Sequence, residues 1–153
     1  MRKVKLLTSL ITGTSLATSG VILISGCSKD DSSKYKNTIS YDGQSYVLKN
    51  DIDPNLFITK DTVTTNGYLT QMLPLKNGDT LEVGGSEENW AKLTNVNLVN
   101  IDKKTTSINR NFLYDCSKLE SITLPENSNI TNIDSYFLAN CSSLRNFNLN
   151  KLI

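Results

Sequence analysis

The chain has 153 residues, 16 of them basic and 15 acidic, for a formal net charge of +1 at pH 7. It contains no histidine, which excludes Ser/His and Cys/His nucleophilic arrangements and histidine ligation of a metal. Without residues 1–26 the remainder carries 13 basic and 15 acidic residues, a net charge of −2, and this balance argues against nucleic acid as a partner.

The N-terminus has the anatomy of an export signal. A basic start is followed by an uncharged stretch over residues 6–26, which ends in the sequence LISGC at residues 23–27. This ending resembles the lipobox of bacterial lipoproteins. The resemblance implies cleavage of residues 1–26, a diacylglycerol on the Cys27 sulfur and, optionally, an N-acyl chain. An uncleaved membrane helix is the alternative, since about 20 apolar residues span a bilayer.

Residues 27–37 are predicted to form a flexible tether. The run SKDDSSK after Cys27 has no apolar residue, so burial cannot offset the entropy cost of ordering it. Its charges are interpreted as solvated. Because two or three acyl chains hold a protein durably on a bilayer, we expect a lipid-anchored protein on the extracytoplasmic face of a bacterial cell membrane.

Residues 38–88 are predicted to form a small antiparallel β region. Asp42-Gly43, Asn66-Gly67 and Asn77-Gly78 each suit a tight type I′ hairpin turn, in which both central residues need positive φ. The region lies where it could cap the first coil of the array that follows. The predicted strand pairs are Ile39–Tyr41 with Ser45–Leu48, Thr62–Thr64 with Tyr68–Thr70, and Leu73–Leu75 with Thr80–Val83.

A metal site in this region is not supported. Asp51-x-Asp53-x-Asn55 has the start of a calcium loop, but Leu56 stands where the glycine should be and Thr62 where the bidentate glutamate should be. We therefore predict a plain turn at Asp53-Pro54-Asn55. No pair of carboxylates is marked out for catalysis either, so we expect no enzyme, no metal and no other cofactor.

The segment from residue 89 to residue 153 repeats itself with a period of about 25 residues, as solenoids do. A weaker copy, Leu93-x2-Val96-x-Leu98, precedes the two clear ones, which gives about two and a half coils. The matched positions are Ile108 and Ile133, Phe112 and Phe137, Leu113 and Leu138, Cys116 and Cys141, Ser117 and Ser142, Leu119 and Leu144, Ile122 and Phe147, and Leu124 and Leu149.

Each coil is predicted to contain one strand and one short helix. In residues 121–124, Ile122 and Leu124 face one side and Ser121 and Thr123 face the other. Residues 108–115 have apolar side chains at i, i+4 and i+5, which suits one or two helical turns. The predicted fold class is α+β, with a small antiparallel β region followed by a short leucine-rich-repeat solenoid.

These residues resemble leucine-rich repeats of the BspA-like kind, whose coils have the form Ile-Gly-x-x-Ala-Phe-x-x-Cys-x-x-Leu-x-x-Ile-x-Ile-Pro. The family is associated with bacterial surface proteins and adhesion, and the resemblance implies such a role here. The chain departs from the pattern at the glycine (Asn109, Asp134), at the small residue before Phe (Asn111, Tyr136), and after Leu149, where no proline follows.

Cys116 and Cys141 occupy the same place in successive coils, which leaves two alternatives open. Coils stacked at about 4.8 Å would bring the two Cα atoms close to the range of ~4.4–6.8 Å found in disulfides, and an extracytoplasmic location permits such a bridge. The other alternative is a pair of buried thiols that act as small apolar residues. The family resemblance favours the buried thiols.

The candidate binding face consists of the side chains that the repeat strands direct outward, and solvated polar surface is the alternative interpretation. We predict a binding or adhesion module for a host or cell-surface protein. The alternative function is a truncated or structural surface lipoprotein, or antigen, with no specific ligand; an extracytoplasmic hydrolase is least supported. The face comprises Glu120, Ser121 and Thr123 in one coil and Arg145, Asn146 and Asn148 in the next.

The C-terminal end lacks a polar capping coil, because Leu149 ends a predicted strand and Ile153 ends the sequence. An open edge exposes apolar side chains and unpaired backbone groups. Three accounts fit this pattern: a shortened relative of a longer repeat protein, edge-to-edge assembly, or a partner that covers the end.

Overall fold

The computed structural model describes residues 35–148, so the predicted signal peptide, Cys27 and residues 28–34 lie outside the described residues. Within that range no helix is long and apolar enough to cross a membrane. The elements are β1 (Thr38–Tyr41), β2 (Gln44–Val47), a 3-10 helix (Pro54–Phe57), β3 (Lys60–Asp61), β4 (Gly67–Tyr68), β5 (Thr70–Pro74), β6 (Thr80–Gly84), α1 (Glu87–Trp90), β7 (Leu93–Asn97), β8 (Ser107–Ile108), β9 (Ser121–Thr123), β10 (Asn132–Ile133) and β11 (Asn146–Asn148).

The repeat strands lie side by side in one five-stranded sheet, ordered β11-β9-β7-β1-β2. β7, β9 and β11 are parallel, and their register aligns Val96 with Ile122 and Ile122 with Phe147. A second parallel ladder, β8 with β10, aligns Ile108 with Ile133. The structure thus places the matched positions of the repeats next to one another, and the predicted alternation in residues 121–124 is confirmed by the burial of Ile122 and Leu124.

The hairpin β1–β2 adds to the free edge of the first repeat strand. β1 runs antiparallel to β7 with Ile39 opposite Val96, and the register shifts between Ser40 and Tyr41. The predicted turn at Asp42-Gly43 is confirmed, since both residues have positive φ, 51° and 75°. The hairpin therefore continues the sheet of the repeats on one side.

The second predicted hairpin forms with different strands. Lys60 pairs with Tyr68 and the loop between β3 and β4 contains Thr62–Thr64, so the prediction of a strand there is wrong. The cause is Asp61, whose Oδ1 accepts hydrogen bonds from the amides of Val63 (3.0 Å) and Thr64 (2.9 Å) and folds the chain back.

The third predicted hairpin is confirmed as β5–β6, with Leu73 opposite Leu81. Its turn is not type I′, because Gly78 has positive φ (97°) and Asn77 does not. The predicted turn at Asp53 is the start of the 3-10 helix, where the Asp53 carboxylate accepts a hydrogen bond of 2.9 Å from the Asn55 amide.

The predicted helix over residues 108–115 is wrong. Asn111, Leu113 and Asp115 have φ of 64°, 53° and 60°, and a left-handed residue at every second position is incompatible with an α-helix. Strands therefore predominate, and the two described helices, Pro54–Phe57 and Glu87–Trp90, have four residues each.

Hydrogen bonds between repeats explain this departure. The amides of Asn111 and Asp115 donate to the carbonyls of Ser135 (3.1 Å) and Ala139 (2.9 Å) in the next repeat, and so they cannot serve a local helix. The same backbone pattern recurs one repeat later at Tyr136 (63°), Leu138 (53°) and Asn140 (63°).

The core runs continuously from the β region into the repeats. Trp90 is fully buried, and its indole N–H donates to the Leu69 carbonyl at 2.8 Å. Gly84, with φ of 90°, has no room for a side chain, because a Cβ there would lie 2.2 Å from the indole nitrogen. A row of phenylalanine rings links the β region to the repeats. The ring centroids are 6.3 Å apart for Phe57 and Phe112, 5.6 Å for Phe112 and Phe137, and 6.0 Å for Phe137 and Phe147.

Candidate functional site

One face of the five-stranded sheet is built from uncharged polar residues, and we call it the polar face. Its members alternate along each strand with buried apolar residues such as Ile39, Val96 and Ile122, so they lie on the opposite side of the sheet. The polar face comprises Thr38 and Ser40 of β1, Ser45 of β2, Asn95 and Asn97 of β7, Ser121 and Thr123 of β9, and Asn146 of β11.

The register arranges the polar face in two rows that cross the strands. One row runs through Asn146, Ser121, Asn95, Ser40 and Ser45, and the other runs through Thr123, Asn97 and Thr38. Neighbouring strands are about 4.8 Å apart, so each row presents hydrogen-bonding groups at a regular spacing. Val47 lies at the β2 end of the second row.

Hydrogen bonds within the face fix some of its side chains. The Ser121 hydroxyl donates to Asn95 Oδ1 at 2.6 Å, and the Asn95 amide donates to Thr94 Oγ1 at 3.3 Å. Asn97 donates to the Lys36 carbonyl at 3.4 Å, while its own Oδ1 is buried and has no partner among residues 35–148. Thr123 is exposed.

The structure brings four of the six predicted face residues into register. Ser121 pairs with Asn146, and Thr123 pairs with Asn148. Glu120 and Arg145 are exposed and precede these strands, and the Glu120 carbonyl accepts hydrogen bonds from the amides of Arg145 (2.9 Å) and Asn146 (3.2 Å). Of the six predicted residues, Ser121, Thr123 and Asn146 thus belong to the polar face, which extends beyond them.

Sequence reasoning missed the other side of the polar face. Asn95 and Asn97 belong to the weak repeat copy, and Thr38 and Ser40 belong to the hairpin. The alternation of polar and apolar residues in both segments was a usable signal. The antiparallel pairing of β1 with β7, which joins them to the repeats, has no signature in the sequence.

A second polar cluster surrounds Asp115 beneath the β3–β4 hairpin. Lys60 Nζ lies 3.2 Å from Asp115 Oδ2, the Tyr68 hydroxyl donates to the same oxygen at 3.0 Å, and Asn140 donates to Oδ1 at 2.6 Å. The ammonium also lies 5.2 Å from the ring centroids of Tyr68 and Tyr114. Burial, followed by the hydrogen bond to Asp115, raises the pKa of Tyr68 above its usual range. Both carboxylate oxygens of Asp115 are engaged. Since Lys60 and Tyr68 belong to the hairpin and Asp115 belongs to the repeats, the cluster joins the two.

Cys116 and Cys141 are both free thiols. Cys116 is fully buried, and Cys141 is half-buried with its Sγ 3.1 Å from the Leu113 carbonyl oxygen, to which it donates. Burial raises the pKa of Cys116 well above its ordinary value and raises that of Cys141 to about 11. Thiols with such pKa values are largely protonated at neutral pH and so are poor nucleophiles.

One comparison with known proteins gives a match, and it covers the repeat region. Residues 86–153 match the family model described as BspA type leucine rich repeat region (6 copies). No curated protein and no solved structure matches the chain. The matched range contains α1 and the strands β7 to β11, which include three strands of the polar face. The match supports the identification of residues 86–153 as BspA-like leucine-rich repeats, which indicates a surface protein-binding module.

Proposed function

We propose that the protein is a bacterial surface lipoprotein that is held in the membrane by acyl chains on Cys27 and binds a host or cell-surface protein through its polar face. Its repeats form a short solenoid, and its role is binding, not catalysis. The single observation that carries the binding proposal is the alignment of uncharged Asn, Ser and Thr side chains in two rows across the sheet.

The chemistry of the polar face suits the surface of another protein. Side chains on paired strands are held at fixed positions, so little entropy is lost when they form hydrogen bonds with a ligand. Amides and hydroxyls both donate and accept, which matches the exposed backbone and polar side chains of a partner. Since the two rows carry no charge, we expect the affinity to depend only weakly on ionic strength.

The anchor rests on the N-terminal sequence. The uncharged stretch of residues 6–26 and the lipobox-like sequence LISGC support export and acylation at Cys27. The predicted tether would allow the polar face to reorient relative to the bilayer, because a polar flexible segment imposes no fixed geometry. Its predicted end at residue 37 is wrong, since Asn37 is fully buried and its side-chain amide donates to the carbonyls of Lys49 (2.9 Å) and Asn100 (2.5 Å), which makes this residue part of the folded region.

Proteoliposomes that carry the fluorescently labelled full chain test the binding role. They are added to cultured epithelial cells and to bacterial cells, and the bound fluorescence is measured by flow cytometry at increasing liposome concentrations. We expect saturable binding that Thr123→Arg abolishes, because a bulky cation then stands at an exposed position of the polar face. Thr80→Arg, at an exposed position of β6 in a different sheet, should bind as the wild type does.

Equal binding by the Thr123→Arg and Thr80→Arg variants would mean that the binding site lies outside the polar face. Binding no greater than that of protein-free liposomes would instead favour a structural surface lipoprotein without a specific ligand. A repeat of the titration at high salt separates the polar face from general electrostatic attraction, because only the latter is screened.

A further inference from the structure

A cleft lies between β2 and the segment that follows β5, next to the point where the described chain begins. Two backbone contacts join these segments, since the Lys76 amide donates to the Val47 carbonyl at 3.0 Å and Leu48 forms an antiparallel bridge with Leu75. The volume of about 580 Å³ is within the range of cavities that hold small ligands. The cleft is lined by Lys36, residues 45–47 and residues 75–77.

The charged side chains that line the cleft are both lysines. Lys36 is half-buried and Lys76 is exposed, and neither ammonium forms an ion pair within residues 35–148. The Asp79 carboxylate lies beside the cleft, but it accepts a hydrogen bond from the Asn77 side chain at 2.9 Å. In the described part of the chain, the cleft therefore carries two positive charges that no carboxylate balances.

The uncharged lining combines a hydroxyl group with apolar surface. Ser45 is exposed, and the side chains of Tyr46, Val47 and Leu75 are half-buried. An ammonium attracts phosphate as a point charge, and a hydroxyl can donate a further hydrogen bond to it. The apolar side chains can contact carbon atoms attached to the phosphate. This lining suits a phosphate that belongs to a larger, partly apolar molecule.

The cleft is close in sequence to the proposed anchor. Lys36 follows Cys27 by nine residues, and an extended chain covers at most about 3.6 Å per residue, so at most about 32 Å separate the two. Asn37 holds Lys36 on the folded region, because its buried side chain donates to the carbonyls of Lys49 and Asn100. If Cys27 is held in a bilayer, the cleft stays within this distance of it.

The molecule as a whole carries the opposite net charge. Without residues 1–26 this charge is −2, with the two lysines of the cleft included. An anionic bilayer therefore attracts the cleft and repels the rest of the molecule, and this difference favours one orientation.

We propose that the cleft binds the phosphate headgroup of an anionic phospholipid in the bilayer that holds Cys27, an inference that rests on the proposed lipid anchor. The ammonium groups of Lys36 and Lys76 bind the phosphate, and the apolar lining contacts the glycerol carbons. β2 is one edge of the five-stranded sheet and β11 is the other. Docking thus turns β2 towards the bilayer and directs the repeats away from it.

Proteoliposomes that carry the acylated full chain test the proposal. The vesicles contain phosphatidylcholine alone or mixed with phosphatidylglycerol, and the rate at which an N-hydroxysuccinimide ester acetylates each lysine is measured by mass spectrometry. We expect Lys76 to react more slowly in the vesicles with phosphatidylglycerol. Lys118, which is exposed and does not line the cleft, should react at the same rate in both.

Two variants that each lose one positive charge identify the cleft as the site. Lys36→Gln should lower the equilibrium constant for docking about fivefold, because each lysine near an anionic surface contributes about this factor. The protection of Lys76 should decrease accordingly. Lys118→Gln should leave that protection unchanged, and circular dichroism verifies that both variants fold.

Several results would overturn the proposal. These are equal Lys76 rates in the two kinds of vesicle, equal slowing of Lys76 and Lys118, and full protection of Lys76 in the Lys36→Gln variant. Inorganic phosphate added to phosphatidylcholine vesicles should not protect Lys76; protection there would mean that the cleft binds a free anion instead of a headgroup. Failure of the anchor is recognised separately, as protein that lacks acyl mass and does not float with the vesicles, and it would overturn both proposals.

Discussion

Leu113 and Leu138, which occupy the same position in successive repeats, both adopt a left-handed backbone with φ of 53°. The Leu138 amide donates to the Phe112 carbonyl at 3.0 Å, so the unusual conformation serves a bond between repeats. The left-handed region costs roughly 1–2 kcal/mol for an ordinary L-residue and more for a β-branched one. The repeat therefore accepts local strain in exchange for hydrogen bonds to its neighbour.

Substitution of Leu113 by isoleucine tests the role of this conformation. Leu113→Ile conserves volume but branches at Cβ, so we expect it to destabilise the fold by about 1–2 kcal/mol more than Leu119→Ile. Leu119 is equally buried and is not among the residues with positive φ, so its isoleucine variant should cost less than about 1.5 kcal/mol. Urea unfolding followed by Trp90 fluorescence measures both. Equal effects would show that the backbone of Leu113 tolerates branching.

The hairpin β1–β2 should contribute measurably to the stability of the repeats. Ile39 is 1% exposed and lies opposite Val96 of β7, so Ile39→Ala is expected to lower the free energy of unfolding by about 2–5 kcal/mol. Ser45→Ala, on the exposed side of the same hairpin, should change it by no more than about 0.5 kcal/mol. A small effect of Ile39→Ala would mean that the repeats fold without the hairpin.

The raised pKa of Cys141 predicts a loss of stability in alkaline solution. Burial raises this pKa from 9.0 to about 11, so between these values the unfolded chain releases the thiol proton and the folded chain keeps it. The contribution of the protonated Cys141 thiol to the free energy of unfolding is fully present below pH 9 and is lost as the pH rises towards 11. Urea midpoints at pH 8 and pH 10 should differ less for Cys141→Ala than for the wild type. Identical differences would assign the alkaline effect to other groups, such as Tyr68.

Removal of the negative charge of Asp115 should destabilise the fold. Asp115→Asn removes the charge that balances Lys60 and weakens the bond from Tyr68, so we expect a loss of about 1–3 kcal/mol in the free energy of unfolding. Glu126→Gln, at an exposed position, should have an effect within about 0.5 kcal/mol. The same urea titration measures both variants. If the two variants were equally stable, the cluster would make no measurable contribution to the free energy of unfolding.

Acylation at Cys27 gives a direct test of the proposed anchor. The full chain is expressed in a bacterium, extracted with detergent, and its mass and membrane partition are compared with those of Cys27→Ala. We expect the wild type to lack residues 1–26 and to gain acyl mass, and the variant to do neither. An unacylated wild type with an intact N-terminus would contradict the anchor and leave an uncleaved helix or a protein that is not exported.

Apolar spacing was sufficient to predict the repeat strands, because Ile122 is buried and its neighbours Ser121 and Thr123 are not. The same kind of spacing led to the wrong prediction of a helix over residues 108–115. A left-handed residue such as Leu113 leaves no mark in the sequence, since glycine is the residue that usually signals positive φ. Burial is therefore predictable here where the backbone path is not.

The site was predictable only where its residues lie close together in the chain or one repeat apart. Ser121 and Asn146 follow from the period of the repeats. Lys60 and Asp115 are separated by 55 residues, and only the folded chain brings them together. The pairing of the hairpin with β7 is of the same kind, because a strand's sequence specifies its faces better than the edge it will join.

That pairing also bears on how the chain folds. The Thr94 hydroxyl bonds to the Ser40 carbonyl at 3.4 Å across 54 residues of sequence, so the sheet has contacts of high sequence separation in addition to those between adjacent repeats. Such topologies fold slowly, because a long loop must close before its contacts form. During synthesis the hairpin emerges first and has no sheet to join until β7 follows. The segment between them must then remain free of aggregation, which gives a chaperone an opportunity to act before the sheet is complete.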